Sequence, residues 1–99
     1  MPVLTDPLNI GPIAIRNRLV FPPIATSKAT PSGDPTGFHE RRYGRIAAAG
    51  VGLVIVEHCF VSPEGRHDEA QIAIDDDARV PALARVAEAI RSGGAASAV

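Results

Sequence analysis

Two short apolar runs, Leu19-Val20-Phe21-Pro22-Pro23-Ile24-Ala25-Thr26 and Val51-Gly52-Leu53-Val54-Ile55-Val56-Glu57-His58-Cys59, each give way to a polar loop and then to a helical pattern. A continuous apolar run of this length ahead of a helix reads as a strand buried on both faces, the kind found in parallel sheets. A third small apolar stretch opens at residues 95–99. Alternating units of this kind predict an α/β fold with parallel strands and crossover connections.

The intervening segments follow from local chemistry. Leu8-Asn9-Ile10 and Ile13-Ala14-Ile15 flank the turn signal Gly11-Pro12 and predict a short hairpin. The first buried strand is expected at residues 19–21, stopped by Pro22-Pro23, because neither proline can donate to a sheet ladder. A polar loop over residues 27–37 is long enough to suggest a function. Residues 38–49 then carry a helical pattern with Phe38, Arg42, Ile46 and Ala49 on the expected inner stripe, and Gly50 is placed as a left-handed cap. The strand at residues 51–56 follows. Asp75, Asp76 and Asp77 suit the start of a second helix, whose expected stripe is Val80, Leu83, Ala84, Ala87 and Ile90 and which stops at Gly93-Gly94.

Composition narrows the function classes. Ninety-nine residues with 45% hydrophobic content allow one globular domain. A net charge of −1 without any basic cluster argues against nucleic acid and against an anionic membrane as partners, which leaves a small-molecule substrate. Cys59 is the only cysteine, so no internal disulfide is possible and a reducing compartment is expected. The N-terminus lacks the basic start and apolar stretch of a secretory signal, and a cytoplasmic location is expected.

In a β/α barrel the site lies on the loops that leave the C-terminal ends of the strands. Here those are the exits after Phe21 and after Val56. Pro22 and Pro23 hold the first exit rigid, so that Ile24, Ala25 and Thr26 can present main-chain groups and small side chains to a flat ligand. Glu57 and His58 emerge at the second exit, where residue type alone favours a paired carboxylate and a hydrogen-bonded structural histidine.

The segments Pro7-Leu8-Asn9-Ile10-Gly11, residues 15–26, residues 50–58 and Val61-Ser62-Pro63-Glu64-Gly65-Arg66, in that order, resemble the N-terminal part of the old yellow enzyme family of NAD(P)H:flavin oxidoreductases. The resemblance implies an incomplete β/α (TIM) barrel, its N-terminal hairpin followed by the first two βα units, with residues 1–99 forming the N-terminal fragment of a single FMN-binding domain. It implies FMN as cofactor and NAD(P)H as reductant, with hydride passed through the flavin to an activated alkene or similar acceptor. Pro22, Pro23, Ile24, Ala25, Thr26 and His58 then fall at flavin-contacting positions, His58 through its backbone, and Ser27 falls where some members place a substrate-facing tyrosine. Ala25 departs from the hydroxyl or thiol that many members carry there, so an altered flavin potential and a compensating role for Thr26 are expected. The groups that polarise the substrate lie on later strands, so no catalytic residue is expected among these 99.

Two other readings compete with the enzyme: an inactive remnant, and a noncatalytic α/β binding module. Missing barrel strands, or self-association in their place, are expected to be needed for stability, because parallel strands left alone expose apolar faces and unpaired edges. His39, His58, His67 and Cys59 show no metal-ligand spacing, and no metal is expected. Arg41, Arg42 and Arg45 read as a solvated face or as partners of Glu40.

Overall fold

The computed structural model describes residues 1–99. The chain opens with β1 (Leu8–Ile10) and β2 (Ile13–Ile15), an antiparallel hairpin with Leu8 opposite Ile15 and Ile10 opposite Ile13. Then come β3 (Val20–Phe21), α1 (Gly37–Ala48) and β4 (Leu53–Ile55). A short pair follows, β5 (Cys59–Phe60) and β6 (Ile72–Ala73), and after it α2 (Val80–Ser92) and β7 (Ala96–Ala98). The main sheet is parallel, in the order β3-β4-β7, and β5 and β6 form a second parallel pair. This is the α/β order expected from the alternating pattern.

Register explains which side chains meet the helices. Phe21, Val54 and Ser97 share one row, and Val20, Leu53 and Ala96 the next. The first row faces α1 and α2: Val54 is fully buried and Phe21 packs against the core. The second row points away from them, and there burial fails. Val20 is 46% exposed, and Leu53 and Ile55 are only half-buried. The expectation of strands buried on both faces is therefore met on the helix side alone, because no layer covers the opposite side of the sheet.

Both helices lie rotated by about one residue from the expected stripe. In α1 the inner line is His39, Tyr43 and Ala47, while Phe38, Arg42 and Ile46 sit at its margin and Ala49 is exposed. The physical cause is that His39 and Tyr43 have polar partners inside, and a hydropathy stripe ignores such partners. In α2 the inner line is Ala82, Val86 and Ile90, with Val80, Ala84 and Ala87 exposed. Leu83 lies between the two lines, and with Val56, Ala87 and Val99 it borders an open apolar groove of about 270 Å³.

The core joins Tyr43, Ala47, Val54, Val56, Ile72, Val86, Ile90 and Ala95. Each large apolar side chain buried there contributes about 1.5–3 kcal/mol. Gly50, at φ +121°, turns the chain from α1 into β4, in the left-handed role expected of it. A Cβ on Gly93 would fall 2.6 Å from that of Ala47, so the bare α-carbon lets the end of α2 nest on α1.

Arg16 closes the base of the structure. Its guanidinium donates to the carbonyls of Ala47, Val51 and Gly93, which lie at or just beyond the C-terminal ends of α1 and α2. The Ala47 carbonyl also accepts the N–H of Gly50 at 3.1 Å, those of Val51 and Gly93 lie past the helix ends, and a cation suits the negative end of each helix dipole. Two of the three aspartates have distinct roles. Asp76 caps a 3-10 turn by accepting from the N–H of Ala78 at 2.7 Å, and Asp75, with Asp34, holds Arg79. Glu40 pairs with Arg85 of α2 rather than with an arginine of its own helix.

Candidate cofactor-binding site

Because β3 and β4 run parallel in register, Phe21 beside Val54, their following loops leave the same end of the sheet. After β3 the chain runs without regular structure through Pro22, Pro23, Ile24 and Ala25, all exposed, and Ile24 keeps 47% of its surface in water. The N–H groups of Ile24 and Ala25 take part in no hydrogen bond within the chain. The prolines restrict the backbone rotation of this stretch. It therefore presents free main-chain donors, a small side chain at Ala25 and an apolar one at Ile24.

Thr26 turns the other way. Its N–H donates to Oε2 of Glu57 at 3.2 Å, and its hydroxyl lies 2.9 and 3.0 Å from the two carboxylate oxygens. Glu57 follows β4 and is 1% exposed. Tyr43 of α1 donates its hydroxyl proton to Oε1 at 2.8 Å and accepts the N–H of Glu57 at 3.0 Å. His39, one turn earlier on α1, brings Nε2 to 3.6 Å from Oε1 and to 3.4 Å from the Thr26 hydroxyl. Its Nδ1 accepts the N–H of Thr36 at 2.9 Å, closing a capping box at the start of α1 in which histidine stands where Glu or Gln is usual. With Nδ1 used as an acceptor, the ring carries its proton on Nε2, toward the carboxylate.

The electrostatics follow from these donors. Burial by itself pushes the Glu57 carboxyl up, but the hydrogen bonds from His39, Tyr43 and Thr26 outweigh it and hold the group down at about 2. The buried carboxylate is thus an anion whose charge is met by directed donors. Burial, reinforced by the carboxylate, raises the Tyr43 hydroxyl well above its ordinary range. The thiol of Cys59 donates to the carbonyl of Glu57 and is pushed up to about 11, by burial first and by the Glu57 charge second.

The second exit forms the facing rim. His58 is exposed, and its ring meets that of His67 edge-on at 5.7 Å between centroids. Ser27 is the single non-glycine residue with positive φ, at +54°, and its hydroxyl donates to Oδ2 of Asp68 at 3.3 Å. Arg66 organises the loop around Asp68: it donates to the carbonyls of Asp68, Pro31 and Glu69 and lies 5.1 Å above the Phe60 ring.

Of the residues singled out in the sequence, Pro22, Pro23, Ile24 and Ala25 lie together on the exposed edge, and Ser27 and His58 stand on the same end. Thr26 lies between these two groups, with its hydroxyl engaged inward by Glu57 and His39. Sequence reasoning missed His39 and Tyr43. The available signal was their i, i+4 spacing, which places two polar rings on one helical line with Ala47.

Comparison with known proteins gives a consistent result. The model of the NADH:flavin oxidoreductase / NADH oxidase family matches residues 3–99. An NADH oxidase of Thermoanaerobacter brockii is 39% identical over 88 residues, which is 88% of this chain and 14% of that protein. The old yellow enzyme homologue of Zymomonas mobilis superposes with a TM-score of 0.86 at 29% identity, over 97% of this chain and 26% of that one. Morphinone reductase in complex with tetrahydroNAD gives 0.86 at 30% identity, over 98% and 26%. The chain thus spans a third or less of the length of these relatives.

Proposed function

The chain belongs to the NADH:flavin oxidoreductase / NADH oxidase family, and from that premise we propose that it supplies one wall of an FMN site in an NAD(P)H-dependent oxidoreductase. On this reading residues 1–99 are the N-terminal portion of a single β/α barrel domain, the hairpin and the first two βα units. The observation that carries the proposal is the exposed edge after β3, where Ile24 and Ala25 offer N–H groups that nothing in the chain uses. A flat, polar-edged ring suits such an edge: the apolar Ile24 and the prolines can lie along its face, and the free donors can meet its rim. His58 would border it from the second exit through its main chain. Ser27, held by Asp68, would stand toward the substrate.

The chemistry that FMN supplies when bound is hydride uptake from NAD(P)H and hydride delivery to an activated alkene or similar acceptor. The residues of this chain position the ligand and exclude water from one side, and none of them is assigned a proton-transfer step. The sheet edges at β3 and β7, and the half-exposed row Val20, Leu53 and Ile55, favour further strands as partners, from additional polypeptide or from a second copy of the chain.

Titration of FMN with the purified chain, read by flavin fluorescence, with the oligomeric state measured alongside, tests the proposal. Saturable quenching is expected, enhanced when strands that complete the barrel are supplied in trans. Fluorescence that stays unchanged under both conditions would refute it.

A further inference from the structure

The flavin-facing edge has no hydrogen-bonded regular structure of its own to hold it. Ile24 and Ala25 make no backbone bonds, and β3 ends at Phe21. The first anchored atom beyond β3 is the Thr26 nitrogen, and its anchor is Glu57. Resting on the flavin reading above, we infer that Glu57, held by Tyr43 and His39, is a positioning residue for the flavin-facing main chain, and that Thr26 couples the edge to it from the inside.

The geometry supports this in three ways. The carboxylate takes the N–H and the hydroxyl of Thr26 together, which fixes both the position and the rotation of that residue. The carboxylate is fixed in turn by Tyr43, which grips the side chain and the main-chain N–H of Glu57 through one oxygen. The His39 ring, oriented by Thr36 at the start of α1, brings its Nε2 to 3.6 Å from the same oxygen, Oε1. Two strand exits and one helix are thus tied at a single buried anion, one residue away from Ala25. Small displacements of a binding edge weaken a ligand held by directed contacts, so a brace at this point acts on affinity without touching the ligand.

The test compares the full chain with its Glu57→Gln, Tyr43→Phe, Thr26→Val and Thr26→Ser variants. Amide hydrogen exchange is read residue by residue, and FMN affinity by fluorescence titration. In Glu57→Gln and Tyr43→Phe the Thr26 amide is expected to exchange about tenfold faster or more beyond the loss of protection that Val86 and Ile90 show through lowered global stability, and FMN affinity to fall about tenfold. Thr26→Val should weaken FMN binding and Thr26→Ser should restore it. If Glu57→Gln does not fold, Tyr43→Phe and Thr26→Val carry the comparison. Unchanged Thr26 exchange in Tyr43→Phe, or FMN affinity that responds to Thr26→Val but not to the Glu57 and Tyr43 variants, would overturn the inference. Failure of the unaltered chain to bind FMN, both alone and with the completing strands supplied in trans, would instead overturn the flavin reading, and it would show before any variant is made.

Discussion

The hydroxyl of Tyr43 serves both ends of Glu57, donating to Oε1 at 2.8 Å and accepting the backbone N–H of the same residue at 3.0 Å. Its removal leaves a buried carboxylate short of a donor and a buried amide without an acceptor. Tyr43→Phe is therefore expected to destabilise the chain by about 3 kcal/mol, measured by urea unfolding. A loss below about 1 kcal/mol would show that water or a neighbour takes the place of the hydroxyl.

Acid should loosen the fold through the same residue. The Glu57 carboxyl titrates at about 2 in the folded chain against 4.5 for the free group, so its contribution is complete above about pH 4.5. As the pH falls from there toward 2, the unfolded chain takes up the proton first, and stability on the order of 3 kcal/mol is lost. Unfolding free energy measured from pH 6 to pH 2 should show this decline, and Glu57→Gln, although less stable throughout, should show a flatter one. Parallel acid limbs would place the sensitivity in other carboxylates.

Cys59 should be unreactive in the folded chain. Its thiol is held up at about 11, so at pH 8 the thiolate is scarcer than in an ordinary cysteine by about two orders of magnitude. Iodoacetamide labelling followed by mass spectrometry is expected to be slow in buffer and fast in urea. Equal rates would mean that the loop after Glu57 opens readily.

Arg16 should matter more for its shape than for its charge. Its fork reaches carbonyls at the ends of both helices, an arrangement that a lysine cannot copy. Arg16→Met is expected to lower stability by about 1–2 kcal/mol, and Arg16→Lys should recover less than half of that. Full recovery by lysine would reduce the role of Arg16 to a point charge.

The order of elements was legible because apolar runs and turn residues act locally. Gly11-Pro12, Pro22-Pro23 and Gly50 each stop or turn the chain at the expected place. The phase of the helices was not legible. His39 and Tyr43 are buried because Glu57 meets them from another element, and their i, i+4 spacing puts them on one line without identifying that partner. Val80, Ala84 and Ala87 mislead for the complementary reason: they form an apolar line on α2 that this chain does not cover. At the site, the exposed edge of Pro22, Pro23, Ile24 and Ala25 could be read from rigid prolines beside small residues. The inward turn of Thr26 could not, since a threonine suits either direction until its acceptor is placed.

Whether the main chain after β3 forms a flavin-binding edge is tested most directly by amide chemical-shift mapping of the 99-residue chain during titration with FMN. Saturable shifts are expected at Ile24, Ala25 and His58, with smaller ones at Thr26 and little change along α2. Shifts that centre on the outer face of α1 or on the groove beside Leu83, or spectra unchanged by FMN even with the completing strands supplied in trans, would contradict such an edge.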